Sequence, residues 1–256
     1  MSLIVNADDF GKSPEVNKAI TECINRGIVN RTTVMTNMPY ASEAAYIAAK
    51  NGFTEHVGLH INLTEGTPLS ESIKKNPVFC DENGNFNQAF YYNTKLRLHM
   101  NDKCVFDIEQ EIEAQLEMYR DLGFTLNHLD SHHHVHTNLP FYKALKNLST
   151  VYDFSSIRLS RNLYKDQKFL KTVYKNYYNK LIGSICEHTT DFFGSYIDAA
   201  NYFIFPNDIS SLKKFEEFIS KYDLEIMVHP LYNQEGILCD GEIPFEKEIK
   251  LYEAFI

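Results

Sequence analysis

The sequence predicts an α/β protein, a distorted or incomplete (β/α) barrel with its active site at the C-terminal ends of the strands. Three observations carry that expectation. Short apolar or β-branched runs alternate with segments of helical periodicity, the pattern of βαβ units and a mostly parallel sheet. The strands number about six, which suits either an incomplete barrel or an open doubly wound sheet. Asp8/Asp9, His60, Asp130/His132 and His229 all fall at the C-terminal ends of predicted strands, the edge where such folds build chemistry. Several strands placing polar groups at one edge favour the barrel.

Along the chain, LIVN (3–6) is a short apolar run expected of a strand buried on both faces. Ser13-Pro14 supplies an N-cap and first-turn pair. Val16, Ile20, Cys23 and Ile24 then recur at helical spacing up to Gly27. TTVMT (32–36) reads as a second strand, Ser42 to Lys50 as a helix, and HVGLHINL (56–63) as a third strand. Residues 64–104 are polar, turn-rich and weakly periodic. A connection that long inside one domain is usually functional, and it is expected to be an insertion at the rim. A helix over 105–121 stops at Gly123, and the strand FTLNHLD (124–130) follows. In the second half, SIRL (156–159), YFIF (202–205) and LEIMVH (224–229) read as strands. Between them lie a long helix marked by Leu170, Tyr174, Tyr177, Leu181 and Ile185, and another marked by Leu212, Phe215, Phe218, Ile219 and Tyr222.

The 256 residues are read as a single barrel-like domain over 1–256, long enough to bury a core without disulfides. A net charge of −9 argues against a nucleic-acid or anionic-membrane partner, which calls for a basic face. The cysteines at 23, 80, 104, 186 and 239 are scattered and form no CxxC pair, so neither a zinc finger nor a disulfide framework is expected. A reducing cytoplasm is the predicted location. No secretory signal or membrane span is predicted. Neither a P-loop, a GxGxxG after a strand nor a GxSxG elbow occurs, which disfavours nucleotide binding and serine-hydrolase chemistry.

Two adjacent carboxylates at the end of a buried strand, Asp8 and Asp9, repel each other unless a cation or proton intervenes. A metal relieves this if one ligates it and the other stays beside it as a base; a helix N-cap plus a surface charge is the plainer alternative. In HLDSHHHVH an extended backbone puts His128, Asp130 and His132 on one face. His132 and His136 share a face if the chain turns helical; the rival pair is His60 with His132 from neighbouring strand ends. Two imidazoles and a carboxylate suit zinc or another divalent metal that activates water, and equally non-haem iron. His229, before Pro230, is a candidate general acid, and Arg158 a candidate for orienting a carboxylate or binding substrate.

NADDFG (6–11), GLHINLTEG (58–66), HLDSHHHVH (128–136) and VHP (228–230), in that order, resemble the YdjC-like carbohydrate deacetylases, a group that includes the chitooligosaccharide deacetylases. The resemblance covers most of the chain. It implies a distorted (β/α) barrel that hydrolyses the N-acetyl group of an acetylated amino sugar or short oligosaccharide, using one divalent ion, magnesium or zinc. It points to Asp9, His60 and His132 as metal ligands, Asp8 as general base and His229 as the acid for the leaving amine. Asp130, Arg158 and His136 remain as substrate-binding or orienting candidates, and a homodimer is a further expectation. Two departures stand out: Leu231 follows the late His-Pro where relatives often have Gly, and the chain stops at LYEAFI where relatives usually continue for a strand and a helix. A truncated C-terminus or a differently closed barrel is the corresponding expectation. The rival classes are an Fe(II) oxygenase using the same triad, distinguished by oxygen uptake, and a non-catalytic sugar-binding or regulatory protein, distinguished by binding without acetate release.

Overall fold

The computed structural model of the protein describes residues 2–125, 128–163, 169–203, 209–240 and 243–244. Strands β1 (Leu3–Phe10), β2 (Arg31–Val34), β3 (Val57–Ile61), β4 (His128–Ser131), β5 (Ser156–Ile157), β6 (Phe192–Ser195) and β7 (Leu224–Val228) form one parallel sheet, ordered β5-β4-β3-β2-β1-β7-β6. The sheet curls into a half-barrel, so the fold is an incomplete α/β barrel. Strands β8 (Pro230–Tyr232), β9 (Leu238–Asp240) and β10 (Ile243–Pro244) make a small antiparallel sheet. No helix of the described residues is long and apolar enough to cross a membrane.

The strands are buried on both faces, but the faces differ in chemistry. One set of alternate residues, including Val5, Ala7, Leu59, Leu129, Leu224, Ile226 and Val228, belongs to the apolar core. The other set fills the concave side with polar groups: Asn6, Asp8, Thr33, His60, His128, Asp130 and Glu225 are all buried there and linked by hydrogen bonds and ion pairs. Gly58, in β3, belongs to this face for a steric reason. A Cβ there would lie 2.9 Å from the His128 carbonyl oxygen, too close for any side chain.

Helix α1 (Pro14–Asn25) begins as its sequence predicts, with Ser13 Oγ accepting from the Val16 N–H at 3.3 Å and Pro14 in the first turn. Helix α2 (Ala41–Asn51) ends at Gly52 in the left-handed region. Within residues 64–104 lie α3 (Glu71–Lys74), α4 (Ala89–Tyr92) and α5 (Thr94–Leu98). Weak periodicity conceals real anchors there: Ile73, Phe79 and Phe90 are fully buried, and Phe90 packs on Phe79 and on Phe141. Helix α6 (Asp102–Asp121) starts three residues before the predicted boundary because the Asn101 side chain caps it at the Cys104 N–H. Helices α7 (Leu139–Leu148), α8 (Phe169–Ile182), α9 (Tyr196–Phe203) and α10 (Ile209–Ile219) follow among the described residues.

One predicted strand is corrected. Tyr202 and Phe203 of YFIF end α9, and residues 204–205 lie outside the described residues. Ser195 and Asp198 form a reciprocal capping box, each side chain accepting from the other's backbone N–H, and this starts the helix. The strand of this region is instead β6, FFGS. LYEAFI also lies outside the described residues.

Candidate active site

Strand β1 runs to Phe10 and carries both aspartates within it. Asn6 and Asp8, two apart, share the concave face, and Asn6 Nδ2 donates to Asp8 Oδ1 at 2.8 Å. Simple alternation would turn Asp9 away. The pairing of β1 with β2 shifts between Ala7 and Phe10, a bulge, and Asp9 adopts φ 72°. That left-handed conformation costs on the order of 1–3 kcal/mol for a non-glycine residue. It delivers the Asp9 carboxylate to the same opening as Asp8.

There Asp9 Oδ1 meets two imidazoles, 3.2 Å from His60 Nε2 and 2.8 Å from His132 Nδ1. The donor atoms of the three residues lie within 4.8 Å of one another. Asp9 Oδ1 and His60 Nε2 are buried without a hydrogen-bond partner in the protein. One anionic oxygen and two imidazole nitrogens converging without mutual hydrogen bonds are what a divalent cation uses, so these residues fit a metal. Electrostatics points the same way. Burial opposes charge on His60, but Asp130, Asp9 and Asp8 outweigh it and push its pKa up to about 10. Burial likewise opposes charge on Asp9, yet the close imidazoles of His132 and His60 hold it well below the usual carboxylate range. The carboxylates draw positive charge to this point.

Three other donor groups are as compact: Glu65/His132/His133, which shares His132 with the first, and the deeper pair Asp8/His60/Asp130 and His128/Asp130/Glu225, which share Asp130. The positive charge of the deeper pair comes from Arg158, which is fully buried among its carboxylates. Its Nη1 lies 2.7 Å from Asp8 Oδ2 and 2.8 Å from Asp130 Oδ2, its Nη2 2.8 Å from Asp8 Oδ1, and its Nε 2.6 Å from Glu225 Oε1. The guanidinium is therefore an orienting group, gripping Asp8 with a two-pronged fork. Among the described residues Asp8 Oδ1 takes two donors, whereas Oδ2 takes only Arg158 Nη1 and keeps acceptor capacity. Asp130, opposite His60 in register, accepts at 2.7 Å from His60 Nδ1, which fixes the ring with Nε2 toward Asp9.

The remaining predicted residues are placed differently. His136 does not share a face with His132: its Nδ1 lies 2.5 Å from Ser131 Oγ and its Nε2 3.0 Å from the Arg158 carbonyl oxygen. The helical spacing fails because His133 and His134 are left-handed (φ 54° and 53°), which breaks the turn between them. With both nitrogens occupied and the ring buried, His136 braces the loop. His229 is half-exposed beyond β7. Its backbone N–H donates to Asp240 Oδ1, its ring stands 4.0 Å from the same oxygen, and it makes no hydrogen bond or ion pair with Asp9, His60 or His132.

Burial, with Arg158 nearby, holds the His136 imidazole down at about 4. A histidine kept neutral in the fold but free to protonate when unfolded costs stability as pH falls below about 6.5. The expected loss between pH 6.5 and 4 is on the order of 3 kcal/mol from His136. Buried carboxyls with raised pKa values, Glu111 and Glu225, pull the other way. The comparison is therefore between wild type and His136→Gln in urea unfolding across that range. The gap between the two should narrow on acidification; parallel pH profiles would show that His136 is not held neutral.

The sequence reading did not single out Glu65 or Lys12. Glu65 Oε1 is 3.2 Å from His132 Nε2, and Lys12 Nζ is 3.0 Å from Glu65 Oε2 and 3.6 Å from Asp9 Oδ2. The His132 hydrogen bond, with Lys12 beside it, takes the Glu65 carboxyl down to about 2. Glu65 lies inside GLHINLTEG, beyond the strand end, where alternation gives no signal.

An incomplete parallel barrel with an acidic-imidazole cluster at its C-terminal strand ends defines the general class. The sequence profile of the YdjC-like protein family matches residues 2–252, and the chain belongs to that family. Among curated proteins it is 35% identical to a carbohydrate deacetylase of Thermoanaerobacter pseudethanolicus, over 77% of this chain and 82% of that one. It is 32% identical to a carbohydrate deacetylase of Halalkalibacterium halodurans, over 99% of this chain and 94% of that one. Among solved structures, a candidate cellobiose-phosphate cleavage protein of Enterococcus faecalis V583 superposes with a TM-score of 0.65 at 24% identity, covering 98% of this chain and 88% of that one. At that identity the superposition speaks to the fold alone.

Proposed function

We propose that the chain is a metal-dependent carbohydrate N-deacetylase, an amide hydrolase that frees acetate from an acetylated amino sugar or short oligosaccharide of the chitooligosaccharide type. The convergence of Asp9 Oδ1 and His60 Nε2, both buried without a partner, supports this reading most directly. Similarity to curated proteins named carbohydrate deacetylases supports a carbohydrate substrate. Asp9, His60 and His132 are the ligands. Two imidazoles among three donors favour zinc over magnesium, which prefers oxygen.

When bound, the ion supplies Lewis acidity to the acetamide carbonyl and to a water. The chain's residues do the rest. Asp8 Oδ2 takes the proton of the attacking water, since Arg158 holds that carboxylate with one oxygen undersubscribed. The water oxygen adds to the carbonyl carbon, the C–N bond breaks, and the departing nitrogen takes a proton from His229. Acetate and a free amine leave. Asp130 keeps His60 in its ligating orientation and Arg158 keeps Asp8 in line.

Metal removal tests the reading. Protein stripped with a chelator and verified by elemental analysis should release no acetate from N-acetylglucosamine, diacetylchitobiose or triacetylchitotriose, and zinc added back should restore release. Full activity in verified metal-free protein would refute metal dependence.

A further inference from the structure

The rim segment sends its aromatic side chains to one place. Five rings follow one another inward from solvent. Tyr92 meets Tyr91 edge-on with centroids 5.2 Å apart, and Tyr91 meets His133 at 5.2 Å, tilted 33°. His133 meets His132 at 4.1 Å, and His132 meets His60 at 5.6 Å. Tyr92 is 75% exposed, Tyr91 is half-buried and His60 is buried, so the run leads from open surface to the candidate metal ligands.

Each outer member is held in place. Tyr92 Oη donates to Gln88 Oε1 at 3.1 Å. The Arg97 guanidinium carbon lies 5.6 Å from the Tyr91 centroid, and its Nε donates to the buried Asn138 Oδ1 at 2.9 Å. His133 Nδ1 lies 3.0 Å from Thr64 Oγ1, and its left-handed backbone sets the ring between His132 and Tyr91. The main anchor of the segment is Phe90, which plugs α4 into the core between Phe79 and Phe141. α4 presents Tyr92 to solvent, while Tyr91 packs partly on the core and shows its outer part beside it.

A pyranose ring has a face of C–H groups and a rim of hydroxyls. Tyrosines offer an apolar ring with a polar tip, and an arginine fork beside them offers donors to hydroxyl oxygens. We propose that Tyr91, Tyr92 and Arg97 form a saccharide subsite that holds the sugar unit next to the one being deacetylated. The subsite makes the protein select a chain of sugars over a single one. This rests on the deacetylase reading and names where that reading's substrate extends.

The test uses the full chain loaded with zinc. It compares kcat/KM for triacetylchitotriose with that for N-acetylglucosamine, in wild type and in Tyr92→Ala, Tyr91→Ala and Tyr92→Phe. Aromatic contacts are worth about 0.5–1.5 kcal/mol each, so each alanine variant should lower the trisaccharide-to-monosaccharide ratio by roughly 2- to 12-fold. Tyr92→Phe keeps the ring and should hold the ratio near wild type. Tyr92 is exposed, so its alanine variant tests the idea even if Tyr91→Ala disturbs the fold. Ratios equal to wild type in both alanine variants would overturn the subsite. If wild type releases no acetate from either sugar, the deacetylase reading fails, and the subsite is then judged by calorimetric binding of triacetylchitotriose. Binding weakened in Tyr92→Ala relative to wild type supports it; equal binding, or none in wild type, overturns it.

Discussion

Asp8→Asn should lower the rate of acetate release by about 10²–10⁴-fold, the range of a lost general base, and the protein should still bind zinc. The proposed ligand atoms belong to Asp9, His60 and His132, and Asp8 contributes none of the close contacts among them. Its oxygens face Asn6 and Arg158 instead. An amide in that place puts an N–H against the Arg158 fork, so some loss of stability accompanies the loss of rate. Elemental analysis separates the two outcomes. A variant that keeps its zinc and hydrolyses diacetylchitobiose at the wild-type rate removes Asp8 from the role of base. A variant that loses both zinc and activity reverses the assignments of Asp8 and Asp9.

Arg158→Met should destabilise the fold by about 3–5 kcal/mol, the cost of leaving buried charges unpaired. The methionine fills much of the volume but abandons Asp8, Asp130 and Glu225, all buried. Arg158→Lys keeps a charge without the planar fork and should fall between. Urea unfolding of the three proteins checks the order. A methionine variant within about 1 kcal/mol of wild type, the ordinary effect of a point change, would mean that the ion pairs of Arg158 contribute little to the fold.

Alternation of polar and apolar residues made much of the sheet legible, and the strand-end positions of Asp8, Asp9, His60, Asp130 and His132 pointed to a cluster. What stayed hidden depended on contacts distant in sequence or on local backbone breaks. Arg158 reaches Asp8 across 150 residues, and no spacing rule relates them. The bulge that turns Asp9 inward leaves no mark in LIVNADDFG other than the adjacency itself. His136 looked like a partner for His132 because an i,i+4 rule presumes a helix, and two left-handed histidines deny it one. YFIF misled because aromatic residues suit strands and helices alike, and the Ser195–Asp198 capping box upstream decided the matter.

The polar filling of the half-barrel also limits how the protein can change. Asp8, Asp130 and Glu225 hold the scaffold together through Arg158 and at the same time border the chemistry, so altering any of them jeopardises folding and reactivity at once. New substrate preferences are more accessible through α4 and α5, whose exposed residues take no part in that ionic knot. Descendants of such a chain would be expected to diverge at the rim and stay uniform inside, and a directed-evolution library confined to residues 88–99 should return more folded, altered-specificity variants than one of equal size drawn from the concave face.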